Sequence, residues 1–239
     1  LDGPVLILAG AGTGKTRTVT CRISHMVERG IAPENILAVT FTNKAASEMR
    51  ERVGDMVSKA AGKEITVCTF HSLCVRILRT GIDRLGYKEN FTIYSGNDQT
   101  GLIKQIIIRK GGAQEKIEPG MVLSIISKAK NAGGDADSID DPFIADIARA
   151  YQNELRAQNA VDFDDFLLLA ERLLREFPDV CEICRKRWTR VTVDEFQDTN
   201  GLQMRLLQQL VGAPYHVCVV GDDDQSIYGW RGAEVENIL

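Results

Sequence analysis

The stretch Ala9-Gly-Ala-Gly-Thr-Gly-Lys15-Thr16 lies between the apolar run of residues 4–8 and a helical pattern that begins at residue 17. A glycine-rich turn between a strand and a helix presents backbone N–H groups to phosphate, and the helix N-terminus adds a partial positive charge. We therefore expect a nucleotide triphosphate here, with Lys15 on the terminal phosphates and the Thr16 hydroxyl on Mg²⁺. The backbone expected to wrap the phosphates is that of Gly10, Ala11, Gly12, Thr13 and Gly14.

One position of this loop departs from the usual pattern. Ala9 stands where the pattern has glycine, which matters only if that position needs a positive φ. A glycine-rich turn can also serve only to pack a helix close to a strand. We favour the phosphate loop because strand, loop and helix follow in the order that the motif requires.

An acidic pair follows the short run Val191-Thr-Val193. Asp194, at a strand end, is suited to hold Mg²⁺ through water, and Glu195 is suited to orient or deprotonate the attacking water. Because neighbouring strand residues alternate sides, we expect Glu195 to point elsewhere than Asp194. The two acids can also mark the N-terminus of the helix predicted over residues 202–211. The phosphate loop needs an acidic partner, so we favour an ATPase site.

Composition describes an ordinary globular chain. Of the 239 residues 44% are hydrophobic and 26% are charged, and no apolar run approaches the length of a membrane span. The net charge of −4 means that any nucleic-acid site must be a local feature. Six scattered cysteines and the lack of a visible signal peptide predict a reducing, cytoplasmic setting. The one CxxC, Cys181-Glu-Ile-Cys184, lies in a predicted helix, and we favour a structural role for it.

Five apolar or β-branched runs, most of them separated by helical patterns, indicate an α/β fold with a doubly wound parallel sheet. The runs cover residues 5–8, 36–41, 65–70, 191–193 and 216–220. An unusual polar segment follows each run, so we expect these segments to line one edge of the sheet. Between residues 95 and 170 helical patterns dominate. We therefore predict an all-helical insertion (95–170) in a domain formed by residues 1–94 and 171–239.

Several ordered motifs resemble those of the superfamily 1 DNA helicases of the UvrD, PcrA and Rep group. They span nearly the whole chain and comprise the phosphate loop, Val39-Thr-Phe-Thr-Asn-Lys-Ala-Ala46, Thr69-Phe-His-Ser72, Asp162-Phe-Asp-Asp165, Val193-Asp-Glu-Phe-Gln-Asp-Thr-Asn200 and Val220-Gly-Asp-Asp-Asp-Gln-Ser-Ile-Tyr-Gly-Trp-Arg-Gly232. The resemblance implies a RecA-like motor domain of the P-loop NTPase kind, with ATP and Mg²⁺ as cofactors. It also implies a helicase that moves 3′ to 5′ on single-stranded DNA and unwinds duplex at junctions.

The last motif joins nucleotide chemistry to aromatic side chains. The Gln225 amide can contact a γ-phosphate, and Tyr228 and Trp230 follow within about 10 to 18 Å of extended chain. Exposed aromatic rings stack on bases of any sequence, which suits an enzyme that moves along a strand. The alternative is that both rings are buried, but the flanking glycines and arginine argue against a core position.

The resemblance assigns further roles. It implies that Arg17 faces the nucleotide base, and that a second motor domain beyond residue 239 completes the ATP site with arginines. A fragment without that domain should bind nucleotide and hardly hydrolyse it. Two alternatives stay open: the motor of a RecB- or AddA-type helicase-nuclease, and a DNA-binding ATP switch that never unwinds. The residues that the resemblance places on DNA are Phe41, Thr42, Asn43, His71, Tyr228, Trp230 and Arg231.

Two acidic clusters have simpler readings than metal binding. For Asp222-Asp-Asp224 we favour hydrogen bonds within the loop for most members, because three consecutive acids do not all face one ion without a special turn. Asp162, Asp164 and Asp165 precede the helix predicted over residues 166–177, and we favour capping of that helix.

Overall fold

A five-stranded parallel sheet forms the centre of the fold. The computed structural model describes residues 2–10, 12–111 and 117–222. The order across the sheet is β1-β7-β6-β2-β3, and β4 pairs with β5 in a separate two-stranded sheet. All five predicted runs are strands of the one parallel sheet, so this part of the prediction is confirmed. The strands are β1 (Val5–Leu8), β2 (Ile36–Thr40), β3 (Thr66–Thr69), β4 (Thr92–Ile93), β5 (Ala160–Val161), β6 (Arg190–Val193) and β7 (Val217–Gly221).

Helices follow the strands and fill the stretch between β4 and β5. Within the described ranges, none of them is long and apolar enough to cross a membrane. The helices are α1 (Lys15–Glu28), α2 (Asn43–Met56), α3 (Lys59–Glu64), α4 (Phe70–Gly81), α5 (Gly96–Arg109), α6 (Pro119–Asn131), α7 (Pro142–Ala157), α8 (Asp165–Glu176), α9 (Pro178–Arg187) and α10 (Gly201–Leu210).

Each face of the sheet is covered by a hydrophobic layer. Leu37 and Val39 of β2 pack on one face with residues of α4, α8, α9 and α10. Ile36 and Ala38 of the same strand pack on the other face with residues of α1 and α2. Because both faces are covered, the central strands are apolar nearly throughout, which is the pattern that parallel sheets require. This explains why continuous apolar runs predicted the strands.

The helical stretch between β4 and β5 has a hydrophobic core of its own. It is built from α5, α6 and α7, and includes the fully buried Tyr151 and Leu155 of α7. The stretch predicted to be all-helical differs from the prediction at strand β5, which the sequence does not reveal because two residues are too few to show alternation. The core of the insertion is thus separate from the two layers that cover the sheet.

Candidate nucleotide site and nucleic-acid interface

The carboxyl ends of the five parallel strands place the predicted site segments along one edge of the sheet. The phosphate loop follows β1, Asp222 follows β7, and Asp194 and Glu195 follow β6. On the other half of the edge, residues 41–43 follow β2 and His71 follows β3. Because β6 pairs with β2, the acidic pair lies beside residues 41–43. We call the ends of β1, β7 and β6 the nucleotide half of the edge and the ends of β2 and β3 the aromatic half. The two halves meet between β6 and β2.

The phosphate loop has the backbone that its glycines allow. Gly12 and Gly14 have φ values of 72° and 92°, in the left-handed region that favours glycine. Ala9 is not among the residues with positive φ, so alanine is accommodated at the first position. Gly14 precedes α1 and has no side chain with which to cap this helix end, so the first N–H groups can face a phosphate. Ala11 lies outside the described residues.

Lys15 lies between two carboxylates of the same edge. Its Nζ is 3.4 Å from Glu195 Oε2 and 3.8 Å from Asp222 Oδ2. Both distances exceed the roughly 2.7–2.9 Å of a strong charge-assisted hydrogen bond. The Lys15 and Asp222 side chains are nearly buried, whereas that of Glu195 is 36% exposed. The ammonium group can therefore exchange a carboxylate for a phosphate oxygen that approaches from solvent.

Gln197 is a site residue that the sequence analysis missed. Its Nε2 donates to Glu195 Oε2 at 2.8 Å, and its Oε1 accepts the backbone N–H of Asp222 at 3.0 Å. The side chain is 1% exposed, so one buried amide joins the ends of β6 and β7. Asp222 contributes its backbone N–H to this bond, whereas its carboxylate faces Lys15. The motif containing Gln197 was recognised, but nothing local indicates its partners.

Asp194 is suited to hold a divalent cation. Its side chain is buried, and its Oδ1 accepts the backbone N–H of Glu195 at 3.1 Å. Burial, together with the neighbouring Glu195 carboxylate, raises the pKa of Asp194 to about 6. The Lys15 ammonium group compensates the ionised form only in part, so a bound cation would stabilise it further. One carboxylate and the hydroxyl of Thr16, in the first turn of α1, fit Mg²⁺, which keeps several of its waters.

Glu195 leaves β6 in the left-handed conformation, with a φ of 53°. Such a conformation costs energy in a residue other than glycine, and it concentrates at functional sites. Strand alternation therefore does not set the direction of this side chain, and its carboxylate reaches Lys15. The long helix that follows is capped instead by Asn200, whose side chain accepts the Gln203 N–H at 2.8 Å.

The aromatic half of the edge carries an open cavity of about 210 Å³. Phe41, Asn43 and His71 line it, so three of the residues predicted to contact DNA share one cavity. Thr42 is the N-cap of α2, and its hydroxyl accepts the Ala45 N–H at 3.1 Å. The Thr42 side chain is nonetheless exposed to solvent.

Phe163 is an aromatic residue of this cavity that the sequence analysis did not assign to the site. Its ring stacks on the His71 imidazole, with centroids 3.9 Å apart and planes inclined by 19°. Phe163 is 53% exposed, which is unusual for a large apolar side chain and is what stacking on a base requires. A signal was present, because Phe163 lies inside the Asp162-Phe-Asp-Asp165 motif. We interpreted that motif only through its acids.

Several predicted residues remain to be placed. Arg17 is exposed in the first turn of α1, next to Thr16. The four predicted residues of the last motif lie outside the described residues, and they are Gln225, Tyr228, Trp230 and Arg231.

Comparison with known families bears directly on this arrangement. The family model of the UvrD/REP helicase N-terminal domain matches residues 1–239. The chain belongs to this family. The parallel sheet with helices on both faces is accordingly the RecA-like motor fold.

Two curated relatives of the chain are DNA helicases by name. The chain is 44% identical over 250 residues to the ATP-dependent DNA helicase PcrA of Bacillus subtilis (strain 168). It is 44% identical over 246 residues to the protein of the same name from Staphylococcus aureus (strain Mu50). Both alignments cover all of this chain but only 33% and 34% of the relatives. The chain thus spans about a third of the length of the curated relatives it matches.

The CxxC motif lies in the interior of the protein. Cys181 and Cys184 are buried in α9, as predicted for the CxxC segment. Burial raises the pKa of both thiols, to about 11 for Cys184, so neither forms a thiolate readily near neutral pH. Within the described ranges, no three His, Cys, Asp or Glu side chains are grouped to hold a metal ion.

Proposed function

We propose that this chain is the N-terminal part of an ATP-dependent DNA helicase that translocates 3′ to 5′ on single-stranded DNA and unwinds duplex at junctions. The relatives named above are ATP-dependent DNA helicases, and the chain spans a third of their length. One observation carries the proposal: the nucleotide half and the aromatic half are neighbours on one sheet edge, joined through β6 and β2. A nucleotide and a DNA base would therefore bind to adjacent strand ends.

In the nucleotide half, Lys15 gives up its two carboxylates when phosphate oxygens come closer than 3.4 Å. Glu195 is then available to orient and deprotonate the attacking water, while the hydrogen bond from Gln197 holds the Glu195 carboxylate in place. Asp194 and Thr16 would hold Mg²⁺, which neutralises charge on the phosphates when it is bound. The remaining nucleotide contacts in this proposal are Gly10, Ala11, Gly12, Thr13, Gly14, Arg17 and Gln225.

In the aromatic half, the cavity next to Phe41 and Phe163 receives a base of the single strand. Stacking of one base on an aromatic ring contributes about 1–3 kcal/mol whatever the base, so such a site binds without sequence preference. Asn43 and His71 supply polar contacts at the same cavity. Four further residues complete the DNA interface in this proposal, and they are Thr42, Tyr228, Trp230 and Arg231.

The domain organisation follows from the same proposal. In this proposal residues 1–94 and 171–239 form the first motor domain and residues 95–170 the inserted helical subdomain, of which the last residues, Phe166 and Leu167 among them, pack with the layer on the sheet. A second motor domain in the remainder of the protein would supply arginines to the ATP site. An arginine finger contributes about 10³- to 10⁵-fold in rate, so the isolated chain is expected to bind nucleotide and hardly to hydrolyse it.

The test uses the intact protein, of the length of its relatives. We expect oligothymidylate to stimulate ATP hydrolysis, and a duplex with a 3′ single-stranded tail to be unwound in preference to one with a 5′ tail. Lys15→Ala should abolish both activities, whereas Lys63→Ala, at an exposed lysine of α3, should retain them. Hydrolysis that ignores DNA would contradict the proposal.

Other outcomes identify the alternatives. DNA-stimulated hydrolysis without strand separation on either substrate would mark a non-unwinding switch. Degradation of the separated strands would mark a helicase-nuclease. Preference for the 5′ tail would reverse the proposed direction.

A further inference from the structure

The aspartate turn, residues 162–165, lies where the chain passes from the core of the insertion to that of the sheet. Ala160 belongs to the insertion core, whereas Val161 and Phe166 belong to the layer on the sheet. The turn carries three aspartates around Phe163. The nucleotide site uses none of these aspartates, although two of them are buried. Their contacts therefore need a separate explanation.

Two aspartates of the turn bind a buried lysine of the insertion. Lys130, near the end of α6, donates to Asp162 Oδ2 and to Asp165 Oδ1 at 2.7 Å each. The three side chains are 6%, 1% and 0% exposed. Burial lowers the pKa of Lys130, but the two carboxylates raise it by more, so its pKa lies above the ordinary value. A charged ammonium group thus joins α6 to the turn inside the protein.

The third aspartate and the turn backbone are held as well. Asn131, the last residue of α6, donates from Nδ2 to Asp164 Oδ1 at 2.8 Å. The Tyr151 hydroxyl of α7 donates to Asp162 Oδ2 at 2.9 Å. Within the turn, Asp162 and Asp165 accept each other's backbone N–H at 2.8 and 3.0 Å. The insertion therefore contacts the side chain of every aspartate in the turn.

Phe163 is the one residue of the turn that lies mostly in solvent, stacked on His71 beside the cavity. We propose that Lys130 and Asn131 are positioning residues for the DNA interface: by holding the aspartate turn, they fix Phe163 in its stack with His71. This inference rests on the proposed function, because it takes the cavity as a site for bases.

Fixing the aspartate turn before DNA binds lowers the entropy cost of binding. A half-exposed ring on a loose turn would lose conformational entropy each time it stacked on a base, and that loss would weaken DNA binding. A turn fixed beforehand avoids this cost, as binding sites supported by buried contacts do. A buried ion pair adds little net stability compared with apolar packing, so stability alone gives weak reason for this cluster.

The test removes the lysine contacts in the intact protein without leaving a buried charge. The variant is Lys130→Met combined with Asp162→Asn and Asp165→Asn. Neutral replacement of a whole buried ion cluster preserves folding better than removal of one partner, and the asparagine oxygens still accept the turn N–H groups. Asn131→Ala is a milder second variant. The matched control is Glu171→Gln, at a buried carboxylate of α8 that pairs with Arg175 and does not belong to the turn.

The first measurement is fluorescence anisotropy of labelled oligothymidylate. We expect Phe163→Ala to weaken binding about 5- to 150-fold, the value of one base stack, and the triple variant to weaken it by a similar factor. Asn131→Ala should have a smaller effect and Glu171→Gln none. Combined with Phe163→Ala, the triple variant should cause no further loss, because both changes remove the same stack. Additive losses, or full affinity in the triple variant, would overturn the inference.

The second measurement is hydrogen exchange of the peptide containing residues 160–167, without DNA. The backbone amides at positions 162 and 165 should exchange faster in the triple variant than in the parent and the control, because a turn without its lysine contacts opens more often even when its internal hydrogen bonds can form. If Phe163→Ala binds DNA like the parent, the cavity is not the DNA site and the inference falls with it. If Phe163→Ala binds weakly but the triple variant changes neither exchange nor affinity, only the positioning role is wrong.

Discussion

Lys15 and Lys130 each lie between two carboxylates, yet the two sites differ in how tightly those carboxylates are held. The Nζ of Lys15 is 3.4 and 3.8 Å from its partners, and that of Lys130 is 2.7 Å from both. The lysine side chains are similarly buried, at 9% and 6% exposure. The carboxylates differ in burial, because Glu195 is 36% exposed whereas both partners of Lys130 are fully buried.

This comparison shows that the same residue types serve two purposes. Loose pairing on an open edge leaves Lys15 able to leave its carboxylates for a ligand, so the pair suits a binding site. Tight pairing in the interior leaves Lys130 no alternative partner, since an unpaired charge there is costly. The pair therefore fixes the structure around it. The predictions below test the two sites against each other.

The largest effect is expected at the open site. Glu195→Gln in the intact protein should lower single-turnover ATP hydrolysis about 10²- to 10⁴-fold, because the amide cannot accept a proton from water. Nucleotide affinity should stay near that of the parent, since the amide keeps the shape of the side chain. Rapid-quench kinetics measure the rate of hydrolysis, and titration with a fluorescent nucleotide measures the affinity. Glu176→Gln, at a surface residue of α8, is the control, and hydrolysis near the parent rate in Glu195→Gln would exclude Glu195 as the base.

The two lysines should differ in their effect on stability. Lys130→Met should lower the free energy of unfolding by about 3–5 kcal/mol, because two buried carboxylates lose their partner. Lys15→Met should change it by about 1 kcal/mol or less, because its pairs are long and water reaches Glu195. Urea denaturation of both variants without nucleotide is the measurement. Equal losses would show that the two sites are not distinct in the way proposed.

The open site should also show a pH dependence. The pKa of Asp194 is raised to about 6, so the folded state binds this proton more tightly than the unfolded state does. Ionisation therefore disfavours folding, and Asp194→Asn should raise the free energy of unfolding by about 1–3 kcal/mol at pH 8. The gain should shrink as the pH falls through 6 and vanish near 4. Urea denaturation at pH 8, 6 and 4 tests the direction of this dependence, with Asp55→Asn as a control at an exposed aspartate. A stability gain that grows on acidification would contradict the prediction.

The smallest effect is expected at an exposed ion pair of the insertion. Arg109 NH1 is 2.8 Å from Glu154 Oε1, nearly as short as the Lys130 contacts, but the arginine side chain is 56% exposed. Arg109→Gln should lower the free energy of unfolding by only about 0.2–1 kcal/mol, because water and salt compete with the pair. The same denaturation experiment would thus separate the effect of burial from that of distance. If Arg109→Gln lowered the free energy of unfolding as much as Lys130→Met, burial would not explain the large effect of the Lys130 substitution.

Local signals were sufficient for most of the architecture. The five strands were predicted from apolar or β-branched runs, which are most continuous in the central strands that are covered on both faces. The joint placement of the phosphate loop, Asp194 and Phe41 on one edge followed from the parallel arrangement alone. Gln197 and Phe163 were inside recognised motifs, but their partners at Asp222 and His71 come from other parts of the chain. No periodicity or spacing reports such a contact.

The sequence by itself determined the sheet, the phosphate loop and the chemistry available at each strand end, because these depend on adjacent residues, on short apolar runs and on the helical repeat of 3.6. Only the tertiary structure decided which carboxylates meet which lysine. Asp162 is read from the sequence as a helix cap, and it does accept a turn N–H, but its buried partner Lys130 lies 32 residues away. Asp222 likewise acquires its place beside Lys15 only through the pairing of β7 with β1. Charges act through distance and burial in space, and both are set by packing rather than by position along the chain.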